Sequence, residues 1–392
     1  MRDPRAERVA GFGTSVFTEM SRLAVEHQAV NLGQGFPDFP GPDFVKEAAI
    51  QAIRADLNQY AVSHGTPRLR RAIAGTWKRL YGREIDPETE VSVGSGATEL
   101  ILDAVLGLVN PGDEVIVFEP FYDSYLPDIL MAGGVPRFIT LDRPDWRFDR
   151  QRLADLFGPK TKLLLINTPH NPTGKVFTRE ELEFIGTLCQ EHDVLALTDE
   201  VYDQIRFDGV EHVPIATLPG MWERTLTINS TGKTFSMTGW KVGYAVGPRS
   251  LSQAVRATHQ FVTFSTSTPF QEAMAVAMET AAQTGYYEQL RREYTARRNF
   301  LAGALGDAGL QVLPVRGSYF LLADVGGMGF RDDVSFCRFL TTQIGVAAIP
   351  PSAFYADPAH APLLARFCFA KREETLRAAA ERLQRLRLTR SA

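Results

Sequence analysis

Residues 91–246 alternate short apolar runs with stretches of helical spacing, and that alternation most narrows the folds open to this chain. The runs fall at 91–93, 115–118, 136–140, 163–166, 194–197, 226–228 and 242–246. Helical patterns separate several of them, at 97–108, 125–131, 153–157 and 180–192. The runs at 115–118, 163–166 and 194–197 show no alternation of apolar and polar residues. They therefore predict strands buried on both faces, as in a mostly parallel central sheet with helices on both faces. The expected fold class is α/β. Helices are also predicted at 44–53 and 69–80, and over 270–305 with a break at Gly285. Further on, strands at 311–315, 319–322 and 365–369 and helices at 334–344 and 373–386 predict a smaller α+β domain. Residues 1 to about 40 predict an arm rather than a packed element, because the stretch from Gly33 to Pro42 is dense in glycine and proline.

A length of 392 residues suits two unequal domains. The net charge of −4 gives no basic excess for nucleic acid or an anionic membrane. Charges at Arg2, Asp3, Arg5, Glu7 and Arg8 stand where a signal peptide needs an apolar core, and no apolar run reaches membrane-spanning length. Cys189, Cys337 and Cys368 are far apart and form no paired motif, which predicts a reducing cytoplasm over a disulfide framework. The seven histidines show no metal-ligand spacing, so no protein-bound catalytic metal is expected.

Five stretches share one predicted location, just after a buried strand, where open α/β sheets bind their ligands. Gly94, Ser95, Gly96 and Ala97 join a strand to a helix and offer an anion site at the helix N-terminus, or a plain capped turn. A dinucleotide fingerprint would need glycine at position 99, which is Glu99, so a single phosphate fits better. Tyr122 offers a ring to a planar ligand, or a core aromatic. Asn171 precedes Pro172, Thr173 and Gly174 and presents its amide from a turn, with or without a ligand. Asp199 ends an apolar strand, where a carboxylate needs a cation or a strong donor unless it caps a helix. Lys233 lies among small and hydroxylated residues, with Ser230 and Thr231 before it and Lys241 eight positions on. A phosphate-binding P-loop would need glycine at position 227, which is Thr227. A desolvated Lys233 loses its proton and forms a Schiff base; the alternative is an ordinary surface lysine.

Together these parts describe a planar ring carrying a phosphate, an aldehyde and a basic nitrogen. The chain resembles the pyridoxal-phosphate (PLP)-dependent aminotransferases of classes I and II, of fold type I, over nearly its whole length. Within them it is similar to the glutamine transaminase K, kynurenine aminotransferase and bacterial methionine aminotransferase group. The resemblance is carried by residues 31–39 and 220–228, by Gly239-Trp240-Lys241-Val242-Gly243, by Gly317-Ser318-Tyr319-Phe320 and by Arg366-Phe367-Cys368-Phe369.

The resemblance implies roles for individual residues. Lys233 would hold the cofactor as a Schiff base and move the Cα proton. Asp199 would pair with the pyridine nitrogen. Tyr202 and Asn171 would bond the phenolic oxygen, and Tyr122 would stack on the ring. Ser95, Gly96, Ala97, Ser230 and Lys241 would hold the phosphate. Arg366 would grip the substrate carboxylate with Asn171 and the backbone of Gly35; by itself it reads as a charge breaking an apolar strand. A homodimer with shared active sites is implied, in which Tyr60 and Phe264 come from the other subunit. Phe17 stands where close relatives carry tryptophan or a similar aromatic, and Gly96 where some carry tyrosine.

The expected organisation is an N-terminal arm at 1–43 joining the small domain, a large PLP-binding domain at 44–285 and a small domain at 286–392. The expected activity is ping-pong transfer of the α-amino group from an uncharged or aromatic L-amino acid donor (methionine, glutamine, phenylalanine, kynurenine) to a 2-oxo-acid acceptor. No motif places a second arginine for a distal carboxylate, and Phe17, Tyr60, Tyr122, Phe264, Tyr319 and Phe354 predict an apolar pocket. The alternatives are N-succinyl-diaminopimelate aminotransferase and cysteine S-conjugate β-lyase.

Overall fold

The computed structural model describes residues 4–13 and 15–388, so the chain-end residues 1–3 and 389–392 of the predicted arm and small domain lie outside the described residues. Strand β1 (Val30–Asn31) is short and pairs with a late strand described below. A seven-stranded sheet follows from β2 (Val91–Gly94), β3 (Glu114–Glu119), β4 (Val135–Thr140), β5 (Thr161–Asn167), β6 (Leu195–Asp199), β7 (Thr225–Ser230) and β8 (Gly243–Val246). Its order is β2-β8-β7-β6-β5-β3-β4. Only β8 runs against its neighbours; the rest are parallel.

The unbroken apolar runs are explained by burial on both faces. Ile116, Phe118, Leu164 and Ile166 pack in one layer with Leu182, Ile185 and Leu188 of helix Arg179–Glu191. Their chain neighbours Val115, Val117, Leu163 and Leu165 face the opposite layer. There they meet Leu100, Ile101 and Val105 of helix Ala97–Leu108 and Leu251 and Val255 of helix Arg249–Val262. Each such fully buried aliphatic side chain contributes about 1.5–3 kcal/mol of transfer free energy. Thr178 and Glu181 form a reciprocal capping box that starts helix Arg179–Glu191. Helix Arg249–Val262 has no counterpart among the predicted elements. Its buried face is narrow and partly polar, with Ser252 and His259 beside Leu251 and Val255.

The predicted long helix is two helices, Thr268–Ala281 and Tyr286–Asp307, with Gly285 left-handed at the break. A three-stranded antiparallel sheet follows, from β9 (Gln311–Val312), β10 (Phe320–Asp324) and, beyond β11 (Val346–Ala347), β12 (Leu364–Cys368), with β10 central. Helices Asp333–Phe339 and Glu373–Leu388 belong to this part of the chain. Strand β1 pairs in parallel with β11.

The expectation of an unpacked arm is corrected over part of its length. Residues Val16–Glu26 form a helix capped by the Ser15 side chain, with Met20 and Ala24 buried one turn apart. Met20 and Leu32 join the same core cluster as Phe320, Phe336 and Phe367. The glycine- and proline-rich stretch after it is irregular, as expected. Among the described residues no helix is long and apolar enough to cross a membrane.

Candidate active site

Parallel strands bring their C-terminal ends to one edge of the sheet, and the register places the polar residues there side by side. Asn167 pairs with Asp199 across β5 and β6, and Asp199 with Ile228 across β6 and β7. Because β8 runs the other way, its first residue, Gly243, lies between Ser230 of β7 and Gly94 of β2. A Cβ on Gly243 would fall 2.6 Å from the Gly96 carbonyl carbon, so only glycine lets β8 approach the 94–97 turn this closely. Lys241, two residues earlier, is thereby carried to the same turn, and a Cβ on Gly96 would lie 3.1 Å from its Nζ.

A cavity of about 360 Å³ opens at this edge. Of the residues predicted from sequence, Gly96, Ala97, Ser230 and Lys241 line one end. Tyr122, Asn171, Asp199, Tyr202, Lys233, Phe17, Gly35 and Arg366 line the rest of it. Ser95 departs from expectation. Its amide is taken by Glu99 and its hydroxyl lies 2.6 Å from that of Thr266, so its side chain is not on the wall. Tyr60 and Phe264, expected to reach the site from the other subunit, lie off the wall of the cavity in their own chain. They pack edge to face with ring centres 5.1 Å apart, and Tyr60 is 82% exposed.

Lys233 Nζ donates to the Tyr319 hydroxyl at 3.1 Å, and Tyr319 donates to the Gly35 carbonyl. Burial pulls the Lys233 amine down to about 8, against the pull of Asp199. Burial pushes the Asp199 carboxyl up to about 6, although the Tyr125 hydroxyl, 2.6 Å from Oδ2, and the Val201 amide favour its charged form. Among the described residues no cation lies within ion-pairing distance of Asp199. Asn167 braces the neighbouring backbone: its Nδ2 donates to the Asp199 carbonyl, and its Oδ1 accepts the Asn171 amide.

Arg366 is 1% exposed. Its Nη1 donates to Asn171 Oδ1 at 3.0 Å and its Nη2 to the Gly33 carbonyl at 2.9 Å, while the Gly35 carbonyl is taken by Tyr319. The guanidinium lies 4.1 Å from the Phe320 ring centre, 5.0 Å from Phe17 and 5.3 Å from Phe354. Its buried Nε has no partner, and among the described residues no carboxylate is within ion-pairing distance. Burial of this unpaired cation lowers its pKa.

The site thus holds a buried anion without a cation, a buried cation without an anion, a partly neutral amine, and an anion cradle. The cradle is the helix start at Ala97, which no side chain caps, with Ser230 and Lys241. PLP with a substrate carboxylate supplies the complement of each: a protonated ring nitrogen, a carbonyl, a phosphate and a second anion. Sequence reasoning gave no site role to Tyr125, Asn167, Gln34, Phe36, Thr98 or Phe320. Asn167 alone carries a local signal, a polar side chain ending an apolar strand as Asp199 does.

A sheet of this kind with this donor set defines a PLP enzyme of fold type I. The comparisons with known proteins are specific: the chain belongs to the class I and II aminotransferases, whose family model matches residues 27–383. It is 44% identical to the methionine aminotransferase of Escherichia coli (strain K12), over 95% of this chain and 96% of that protein. It is 42% identical to the kynurenine–oxoglutarate transaminase of Dictyostelium discoideum, over 97% and 96%. The solved structure of N-succinyldiaminopimelate aminotransferase from Mycobacterium tuberculosis superimposes with a TM-score of 0.93 at 45% identity, over 97% of this chain and 100% of that one.

Proposed function

We propose that this aminotransferase takes the α-amino group from an uncharged or aromatic L-amino acid (methionine, glutamine, phenylalanine or kynurenine) and passes it to a 2-oxo acid. One observation carries the reading. The cationic residues lining the cavity are Lys233, Lys241 and Arg366, and each has a use common to every substrate. Phe17 and Phe320 flank Arg366, and among the described residues the cavity lining holds no further cation for a distal carboxylate. The relatives named for methionine and kynurenine support it.

In this reading Lys241, Ser230 and the helix start at Ala97 hold the phosphate. Tyr122 covers the ring, Asp199 faces its nitrogen, and Tyr202 and Asn171 bond its phenolic oxygen. Bound PLP supplies the electron sink. Arg366 and Asn171 fix the substrate by its carboxylate, which orients the Cα hydrogen. The neutral Lys233 amine takes that proton and returns it, and Tyr319 orients the amine between the two transfers.

The second reading, N-succinyl-diaminopimelate transfer, is favoured by the likeness to the Mycobacterium tuberculosis enzyme. The division into an arm at 1–43, a large domain at 44–285 and a small domain at 286–392 is part of the proposal, supported by the seven-stranded sheet lying within 44–285, the three-stranded sheet within 286–392, and the pairing of β1 with β11. So is a homodimer, supported by the exposed rings of Tyr60, Phe261 and Phe264, of which Tyr60 packs against Phe264. A cytoplasmic location is supported by three buried, unpaired cysteines.

The test is a half-reaction screen on PLP-loaded protein with single amino acids and no acceptor, followed by loss of the bound cofactor's visible absorbance. Conversion by methionine, glutamine or aromatic donors is expected. Conversion by N-succinyl-diaminopimelate alone would overturn the reading. Release of pyruvate and ammonia from a cysteine S-conjugate would show β-lyase activity.

A further inference from the structure

Behind the turn at 94–97 lies a cluster of ionisable side chains that amino-group transfer does not use: Glu99, Asp103 and His259. Glu99 and Asp103 are one turn apart on helix Ala97–Leu108, and His259 sits in the last turn of helix Arg249–Val262. His259 Nδ1 is 2.6 Å from Glu99 Oε1, and Nε2 is 2.8 Å from the Ser63 carbonyl. The Glu99 carboxylate uses its other oxygen to accept the Ser95 amide, so both groups facing the imidazole are acceptors. Both ring nitrogens therefore donate, and His259 is an imidazolium standing where a metal ion would otherwise balance two carboxylates. Burial disfavours that charge, but the Asp103 and Glu99 carboxylates outweigh it and push His259 up to about 10. Burial also works against the Glu99 charge, and its bonds to His259 and the Ser95 amide hold it below the usual carboxylate range.

Asp103 differs from its neighbours. It is fully buried and 3.7 Å from His259 Nδ1, and neither of its oxygens has a hydrogen-bond partner. Burial pushes it up to about 7, the Glu99 charge adding to the effect. The His259 charge balances Glu99, so the pair sends little negative field toward a bound phosphate.

We infer that Glu99 and His259 are positioning residues for the cofactor phosphate: His259 holds the Glu99 carboxylate, and Glu99 fixes the Ser95 amide and so the turn that presents the phosphate donors. The Ser95 hydroxyl, bonded to Thr266, clamps the same turn from the other side. Ser63 is three residues from Tyr60, and Thr266 two from Phe264. One clamp therefore also fixes both segments that carry the exposed ring pair. Asp103 makes no hydrogen bond in this chain and bears on it only through the charge it lends His259. The inference rests on the cofactor reading of the site.

The test compares PLP with pyridoxal, which lacks the phosphate, for binding to cofactor-stripped protein by visible absorbance. E99Q and H259Q are each expected to weaken PLP by about tenfold or more, as when a bond to a charged group loses its partner. Pyridoxal should change by no more than about twofold, the scatter of a neutral substitution. D103N removes a charge that favours the His259 imidazolium but breaks no hydrogen bond, and is expected to weaken PLP clearly less than E99Q does. Equal weakening of PLP and pyridoxal in E99Q would overturn the inference, as would a PLP loss in D103N matching that in E99Q. Because E99Q and D103N keep side-chain shape, they decide the matter even if H259Q does not fold. A wild-type protein that binds neither PLP nor pyridoxal would instead overturn the cofactor reading.

Discussion

Lys233 and Tyr319, far apart in the chain, meet through a hydrogen bond of 3.1 Å from the lysine Nζ to the tyrosine hydroxyl. Tyr319 is fully buried, and its ring packs edge to face on Tyr202 at 4.9 Å. The bond aims an amine that would otherwise rotate freely. Tyr319→Phe is expected to slow the single-turnover half-reaction by about tenfold, the value of one such bond, with PLP content unchanged. An unaltered rate would show that the bond has no part once substrate is present.

Lys233 itself sets a pH dependence. Only the neutral amine attacks a carbonyl or takes a proton, and burial lowers the Lys233 pKa to about 8. A lowered value fills the neutral form at lower pH. Covalent capture of PLP by stripped protein should therefore speed up until about pH 8 and then level. A rise continuing toward about 10.4, the ordinary lysine value, would contradict the burial effect. Lys233→Ala should abolish turnover while PLP is still held by its phosphate.

Arg366 predicts a loss that does not depend on the side chain of the substrate. Its planar fork is held by Asn171 and Gly33, and lysine cannot reproduce that geometry. Arg366→Lys should lower kcat/KM by roughly 100-fold for methionine, glutamine and phenylalanine alike, the value of a buried charge-assisted pair. Losses that differ widely between donors would assign Arg366 to side-chain recognition.

Asp199 is held by Tyr125 and by the Val201 amide, and among the described residues no cation is within ion-pairing distance of it. Asp199→Asn keeps the shape and removes the charge. PLP retention and the half-reaction rate should fall together, each by roughly 10- to 100-fold. A rate that falls with retention intact would separate ring positioning from proton transfer, and an unchanged rate would count against pairing with the ring nitrogen.

Much of this was legible in local pattern. The apolar runs marked the strands, Gly285 marked the helix break, and the polar residues at strand ends, Asp199 and Ser230 among them, marked the ligand edge. The helix at Val16–Glu26 does carry a stripe at helical spacing, Val16, Phe17, Met20, Leu23 and Ala24, but the glycine- and proline-rich stretch that follows pointed to an arm. Helix Arg249–Val262 was hidden because half of its buried face is polar.

The sequence by itself determined the α/β class, the family and the residue types at the sheet edge, because strand burial and strand-end chemistry repeat over a few neighbouring residues. The tertiary structure alone decided which donors are free. It turned Ser95 from the cavity onto Glu99 and Thr266, set Tyr125 on Asp199 and Tyr319 on Lys233, and left the Arg366 Nε unpartnered. Apart from Ser95–Glu99, those contacts join residues distant in the chain, brought together by the tertiary fold and a strand order that differs from chain order, and no local spacing encodes them.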